Sequence, residues 1–221
     1  MTLSVIARSQ DGRSMGVVCA TGGPAVGAFV PHCRRGIGAV ITQGFSTSLP
    51  AAEFALHSLS LGVSVEAIVV ALQQRDPGAP WRQFAVMDWQ GQSAGWTGSE
   101  NVASCSLYRE QGLLVAGNML SNDEVVLAMV HGFHAQSHDL PLAERLLQAL
   151  LAGHAHGGDR RGHYSAALLV YDEDQPPLSL RIDWAKDAVQ ALLELYQNYL
   201  LNLEFQQFLQ RIPTDSLPFK Y

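Results

Sequence analysis

The order in which strand-like and helix-like stretches follow one another constrains this chain more than any single residue. Leu3 to Ser9 and Met15 to Thr21 are β-rich runs separated by Gln10-Asp11-Gly12-Arg13, and an Asp-Gly pair between such runs favours a tight hairpin. A third strand is expected at Gly38 to Gln43, followed by a helix pair at Ser48 to Leu61 and Ser64 to Gln74. Ser64 is suited to cap the second helix with Glu66 in its first turn, and Asp76-Pro77-Gly78 stops it. Phe84 to Trp89, Ser93 to Thr97, Ser104 to Arg109 and Leu113 to Gly117 continue as a meander. A second helix pair covers Asn122 to Ala135 and Leu142 to His154, and strands at Ser165 to Asp172 and Leu178 to Asp183 precede a last helix. Two helix pairs set among antiparallel strands point to an α+β fold of four layers, an αββα sandwich. In such a stack each sheet covers one face with the other sheet and one with helices.

At 221 residues with 48% hydrophobic content, the chain can bury a substantial core and is read as one domain over 1–221. Only 15% of residues are charged and the net charge is -6, so a nucleic-acid partner held through its phosphates is not expected. Cys19, Cys33 and Cys105 are an odd number, spaced 14 and 72 positions apart with no CxxC. They indicate neither a disulfide framework nor a thiolate zinc site, and a reducing cytoplasm is the expected location. Arg8, Asp11 and Arg13 interrupt any apolar leader, so no signal peptide is expected. The uncharged run from Ser14 to His32 is broken by Gly16, Gly22, Gly23, Pro24, Gly27 and Pro31. It reads as strand, loop, strand, with no membrane partner.

Thr2 opens the first strand and becomes the N-terminal residue if Met1 is removed. A free N-terminal threonine carries a nucleophile and a base on one residue, since its α-amine titrates near ~8 and can take the hydroxyl proton. If that hydroxyl sits at a strand end, the Thr21-Gly22-Gly23 and Thr42-Gln43-Gly44 loops are its expected neighbours, with Gly22, Gly23 and Gly44 offering backbone N–H groups to an oxyanion. Asn118 ends an apolar strand and brings a donor that carries no charge to desolvate. The Gly157-Gly158-Asp159-Arg160-Arg161-Gly162 loop concentrates charge in a charge-poor chain. Either Gly157 caps a helix and Asp159 pairs with Arg160 or Arg161, or one of the arginines holds a substrate carboxylate or phosphate.

The Met1-Thr2 start belongs with four further motifs in order. These are Ala25-Val26-Gly27-Ala28-x-Val30-Pro31, Gly36-x-Gly38-Ala39-Val40-x-Thr42-Gln43, Gly117-Asn118-Met119-Leu120, and the 157–162 loop followed by Ser165-Ala166-Ala167-Leu168-Leu169-Val170. Together, from Thr2 to about Trp184, they resemble the DUF1028 family, which is placed in the Ntn-hydrolase superfamily. The resemblance implies the four-layer αββα sandwich of proteasome β-subunits and names no substrate. Together with the place of Thr2 it leads to the expectation of hydrolysis of a small amide or cyclic amide through an acyl-threonine, with Arg160 or Arg161 orienting an anionic substrate. Thr2 would be nucleophile, Asn118 and loop amides the oxyanion donors, and Gly22, Gly23, Thr42, Gln43, Gly44, Asp159, Arg160 and Arg161 the substrate wall, with no cofactor. The lysines, Lys186 and Lys220, lie beyond the resembling region, so no proteasome-type lysine is carried over. The rival readings are a ligand-binding member without catalysis and a cyclohydrolase that forms no covalent intermediate.

His131, His134 and His138 share a helix face, and His154 and His156 follow the next helix. Without an evident third or fourth ligand they read as solvated or core-edge residues, and no metal is expected. Ser4, Thr42 and Ser165 lack a Gly-x-Ser-x-Gly elbow. From Ala188 to Ile212, apolar residues from Val189 to Ile212 form a stripe too broad for one surface. It is expected to be a single long helix that packs on a sheet and also makes a homodimer, or higher homo-oligomer, contact.

Overall fold

The first turn forms as its residues require. Asp11 Oδ1 accepts the Ser9 hydroxyl at 2.6 Å and the Arg13 N–H at 3.1 Å, while Gly12 takes φ +79°, a region unfavourable to any residue with a Cβ. In the computed structural model, which describes residues 2–214 and 216–218, this turn joins β1 (Thr2–Arg8) to β2 (Ser14–Thr21). Met1 and Lys220 lie outside the described residues.

The chain then crosses to a second sheet. It forms β3 (Pro31–Arg34) and β4 (Gly38–Gly44), then α1 (Leu49–Ser60) and α2 (Val65–Arg75), then β5 (Arg82–Asp88) and β6 (Ser93–Thr97). It returns to the first sheet with β7 (Ser106–Glu110) and β8 (Leu113–Asn118). There follow α3 (Val125–His134), α4 (Leu142–Ala155), β9 (Ser165–Asp172), β10 (Leu178–Ile182), α5 (Ala188–Leu201) and α6 (Leu203–Arg211). The larger sheet runs β10-β9-β2-β1-β8-β7 and the smaller β3-β4-β5-β6, every pairing antiparallel.

Three apolar layers hold the stack together. Ile6, Met15, Val17, Ile41, Met87 and Leu114 fill the space between the sheets. Leu3, Val5, Val18, Met129, Leu146 and Leu150 join the larger sheet to α3 and α4. Val40, Phe84, Val86, Ile68 and Leu72 join the smaller sheet to α1 and α2. The fold is thus the four-layer αββα sandwich. Alternation does the sorting: Val40 faces helices and Ile41 faces the other sheet, so both are buried on a strand with no polar side. Ser64 caps α2 through the Ala67 N–H at 3.3 Å, and Ser48 caps α1 through the Ala51 N–H at 3.2 Å.

The C-terminal segment is two helices where one was expected. Asn202 adopts extended backbone, φ -77° and ψ 94°, and its side chain accepts the Phe205 N–H at 3.0 Å, which caps α6 and ends α5. The stripe divides at that break. Val189, Leu192 and Tyr196 of α5 enter the core beneath β9 and β10, whereas no residue of α6 is buried. Among the described residues no helix is long and apolar enough to cross a membrane.

Since Ile41 is completely buried between the sheets, Ile41→Ala is expected to destabilise the fold by about 2–5 kcal/mol in chemical denaturation. A loss under 1 kcal/mol would mean that the inter-sheet layer collapses around the missing side chain.

Candidate active site

Four polar side chains stand in one row across the larger sheet. The β1–β2 register pairs Thr2 with Thr21, β2–β9 pairs Thr21 with Ser165, and β1–β8 pairs Thr2 with Asn118. Two positions along each strand lie Ser4, Cys19, Ala167 and Ala116. The last three belong to the layer between the sheets, so the row Ser165-Thr21-Thr2-Asn118 faces the smaller sheet. Opposite it runs a second row, with Gln43 on β4 paired to Gln83 on β5 and Gln83 to Thr97 on β6. Thr2, Gln43, Gln83, Asn118 and Ser165 are all buried.

Hydrogen bonds connect the rows. Ser4 Oγ donates to Gln43 Oε1 at 2.7 Å, and Gln43 Nε2 donates to Gln83 Oε1 at 2.6 Å. Gln83 Nε2 reaches Thr97 Oγ1 at 3.0 Å and the Gly117 carbonyl at 3.2 Å. The Thr2 end of this network is looser. Thr2 Oγ1 lies 3.4 Å from Thr21 Oγ1, and Gln43 Nε2 lies 3.5 Å from the Thr2 carbonyl. Asn118 is 0% exposed, yet among the described residues neither Oδ1 nor Nδ2 has a hydrogen-bond partner. A buried polar atom left unpaired costs about 1–3 kcal/mol. The backbone beside it is also in an uncommon state. Met119 has φ 54°, and Ser104, whose carbonyl accepts the Leu120 N–H, has φ 64°.

The charged loop closes one side of the row. Asp159, 4% exposed, accepts the Gly22 N–H at 2.7 Å, the Arg161 N–H at 2.7 Å and Arg161 Nη2 at 3.1 Å. Arg160 donates Nε to the Leu120 carbonyl at 2.9 Å and Nη2 to Ser104 Oγ at 3.0 Å. The pairing of Asp159 with Arg161 and the left-handed Gly157 after α4 follow the structural option for this loop. The Gly22 amide is directed at Asp159 rather than at Thr2, and the Gly23 carbonyl accepts Ser165 Oγ at 2.7 Å.

Thus Thr2, Asn118 and Gln43 meet, with Asp159 and Arg161 one loop away. Thr42 does not join them. It falls on the α1 face of β4, where its hydroxyl binds Thr47 and the Ser48 N–H. Gly44 serves the β4–β5 edge, since a Cβ there would come 2.7 Å from the Trp81 carbonyl. Gln83 and the pairing of Thr21 with Ser165 were not anticipated. The available signal was a polar residue inside an otherwise apolar strand, as with Gln83 before Phe84-Ala85-Val86-Met87.

A histidine pair supports the loop from behind. His163 Nε2 accepts the Asp159 N–H at 3.1 Å, its Nδ1 lies 2.8 Å from Nδ1 of His154, and His154 Nε2 lies 3.4 Å from Asp187. The accepting Nε2 places the His163 proton on Nδ1, donating to His154. That leaves His154 Nε2–H for Asp187. Burial, then the neighbouring His154, lowers the pKa of His163 to about 4, against the weaker pull of Asp159 and Asp187. Among the described residues no group of three His, Cys, Asp or Glu is placed to hold a metal ion.

A histidine whose folded pKa lies below its unfolded value stabilises the fold fully above the unfolded pKa. Stability should therefore fall as pH drops from about 6.5 toward 4, by a few kcal/mol in total. His163→Asn should flatten much of that slope in melting curves. An unchanged slope would assign the acid sensitivity to other groups.

Residues 2–192 match the family described as DUF1028, a family of unknown function. Protein SPO2555 from Silicibacter pomeroyi, a crystal structure assigned to the same family, is 33% identical. It superposes with a TM-score of 0.92 over 99% of this chain and 98% of its own. The Anbu ancestral β-subunit of Yersinia bercovieri gives a TM-score of 0.43 at 11% identity over 92% of this chain and 97% of its own, too remote to bear on function here. No curated protein matches the chain. The match over most of its length makes this chain a member of the DUF1028 family.

Proposed function

We propose that this protein is an N-terminal-nucleophile hydrolase of a small amide or cyclic amide, acting through an acyl-threonine on Thr2. The observation that carries the reading is Asn118, a buried carboxamide with both polar atoms unpartnered, in register beside Thr2 on the next strand. Once Met1 is removed, the α-amine of Thr2 takes the proton of its own hydroxyl as Oγ1 attacks the substrate carbonyl carbon. The carbonyl oxygen becomes an oxyanion, and Asn118 Nδ2 is the donor aimed at it. This role falls to Asn118 rather than to Gly22, whose amide is held by Asp159.

Collapse of the tetrahedral species breaks the C–N bond, and the ammonium proton goes to the departing nitrogen. A water then attacks the ester and gives its proton to the α-amine, and on collapse that proton passes to Thr2 Oγ1 as the C–O bond breaks, releasing the acid and restoring the hydroxyl and the neutral amine. For a cyclic amide the departing amine stays tethered to the acyl group. The Ser4-Gln43-Gln83 network fixes the Thr2 end of β1 without placing a charge beside the amine. Arg161, whose side chain is 47% exposed beyond its bond to Asp159, suits an anionic group on the substrate.

The test is the intact mass of untagged protein before and after a β-lactone probe. Loss of Met1 and one adduct, absent from Thr2→Ala and kept by Thr2→Ser, is the expected result. Asn118→Ala should slow acylation by about 10²–10³-fold. An adduct formed equally by Thr2→Ala would overturn the assignment.

A further inference from the structure

At the opposite end of β1 from Thr2 lies a cavity of about 240 Å³ between the Ser9-Gln10 turn, the β7–β8 turn and the ends of α3 and α4. Two arginines are among its lining residues, Arg8, the last residue of β1, whose guanidinium lies over Gly12, and Arg145 of α4. Arg145 sits among the buried residues Leu142, Leu146 and Phe133 and is itself only 3% exposed. Its Cζ lies 4.0 Å from the centroid of the Phe133 ring. Its Nε is buried without a partner, and among the described residues the guanidinium makes no hydrogen bond or ion pair. The Nε of Arg8 is likewise buried and unpartnered.

This arrangement is electrostatically incomplete. A charge taken out of water is unfavourable unless it is paired, and a cation–π contact offsets only part of that desolvation. The carboxylate in the cavity wall does not supply the difference. Glu110 binds His134 Nε2 at 2.7 Å and accepts the Tyr108 hydroxyl at 2.8 Å, and it pairs with neither arginine. Asp11, on the adjoining turn, accepts the Ser9 hydroxyl and the Arg13 N–H, and it feels the charge of Arg8 without forming an ion pair with it. The other titratable residue in the wall is His138. Two permanent cations therefore face a cavity whose single carboxylate already has a histidine partner.

We propose that this cavity binds a small oxyanion, a phosphate or a short carboxylate, through Arg145 and Arg8. Planar guanidinium groups match such anions with paired N–H donors, and the volume lies below the roughly 300–1,000 Å³ of pockets for larger ligands. Arg8 and Thr2 end the same seven-residue strand, about 20 Å apart, so the site is separate from the proposed chemistry and does not rest on it.

Thermal unfolding of the full chain tests this in sodium phosphate, sodium succinate and sodium chloride of matched ionic strength. At least one of phosphate and succinate should raise Tm saturably over chloride, by about 5 °C or more well above its Kd. The one that does so names the anion class, and a rise with both assigns a site for either. Arg145→Met should lose that rise while melting no lower than wild type in chloride, because an apolar chain replaces an unpaired buried charge. Arg8→Gln should reduce the rise, and the ring resonances of His134 and His138 should shift with the active anion in wild type. No rise with either anion, or an equal rise in wild type and Arg145→Met, would overturn the proposal; the second result would mark a general salt effect. If Arg145→Met fails to fold, Arg8→Gln and the histidine resonances decide the question alone.

Discussion

The register of four adjacent antiparallel strands is the constraint on which the rest of this molecule depends. Thr2 opposite Thr21, Thr21 opposite Ser165 and Thr2 opposite Asn118 are separate pairings, and each has to hold for the row to exist. A slip of one residue in any strand would turn its side chains to the other face. Apolar residues forbid such a slip. Leu3 and Val5 are packed against helices while Ile6 meets the other sheet, so exchanging the faces of β1 would set Ser4 among the side chains of α3 and α4. The polar row is held in place by burial that it takes no part in.

That arrangement explains how a hydrophobic sandwich carries a polar end. Neutral amides and hydroxyls fill the space between the sheets there, and burying them is tolerable because the Ser4-Gln43-Gln83-Thr97 chain satisfies most of their hydrogen-bonding capacity. Asn118 is the exception, and the left-handed Met119 follows it directly. An unpaired donor next to a strained residue concentrates unfavourable terms at one point, which is a recurring property of reactive sites. Arg145 and Arg8 repeat the pattern with charge at the other end of β1.

Much of the architecture was legible in the residues. The Asp11-Gly12 turn, the Ser64 cap and the alternation along the strands are local signals, because each depends on atoms within a few residues. The break at Asn202 escaped notice because an apolar stripe continues on both sides of it, and stripe periodicity does not register a side chain that turns to cap the following helix. Thr2 and Asn118 were marked by their places at strand ends. Gln83 and the Thr21–Ser165 pairing were hidden, since glutamine and serine in a strand do not reveal which polar residue faces them. Thr42 was misplaced by one step of alternation, which sent it to α1 and gave the inter-sheet position to Gln43.

The sequence by itself determined most of the elements, their order and the apolar faces that assemble them into four layers, though not the break at Asn202. It also determined the family, through motifs that run nearly the length of the chain. The tertiary structure alone decided which polar groups meet. Ser4 binds Gln43, 39 residues away, and the Gly22 amide binds Asp159, 137 residues away. The first closes only when the two sheets are stacked in register and the second only when β9 pairs beside β2 in the larger sheet, and no local propensity encodes either arrangement. The same packing left the Asn118 amide and the Arg145 Nε without hydrogen-bond partners among the described residues.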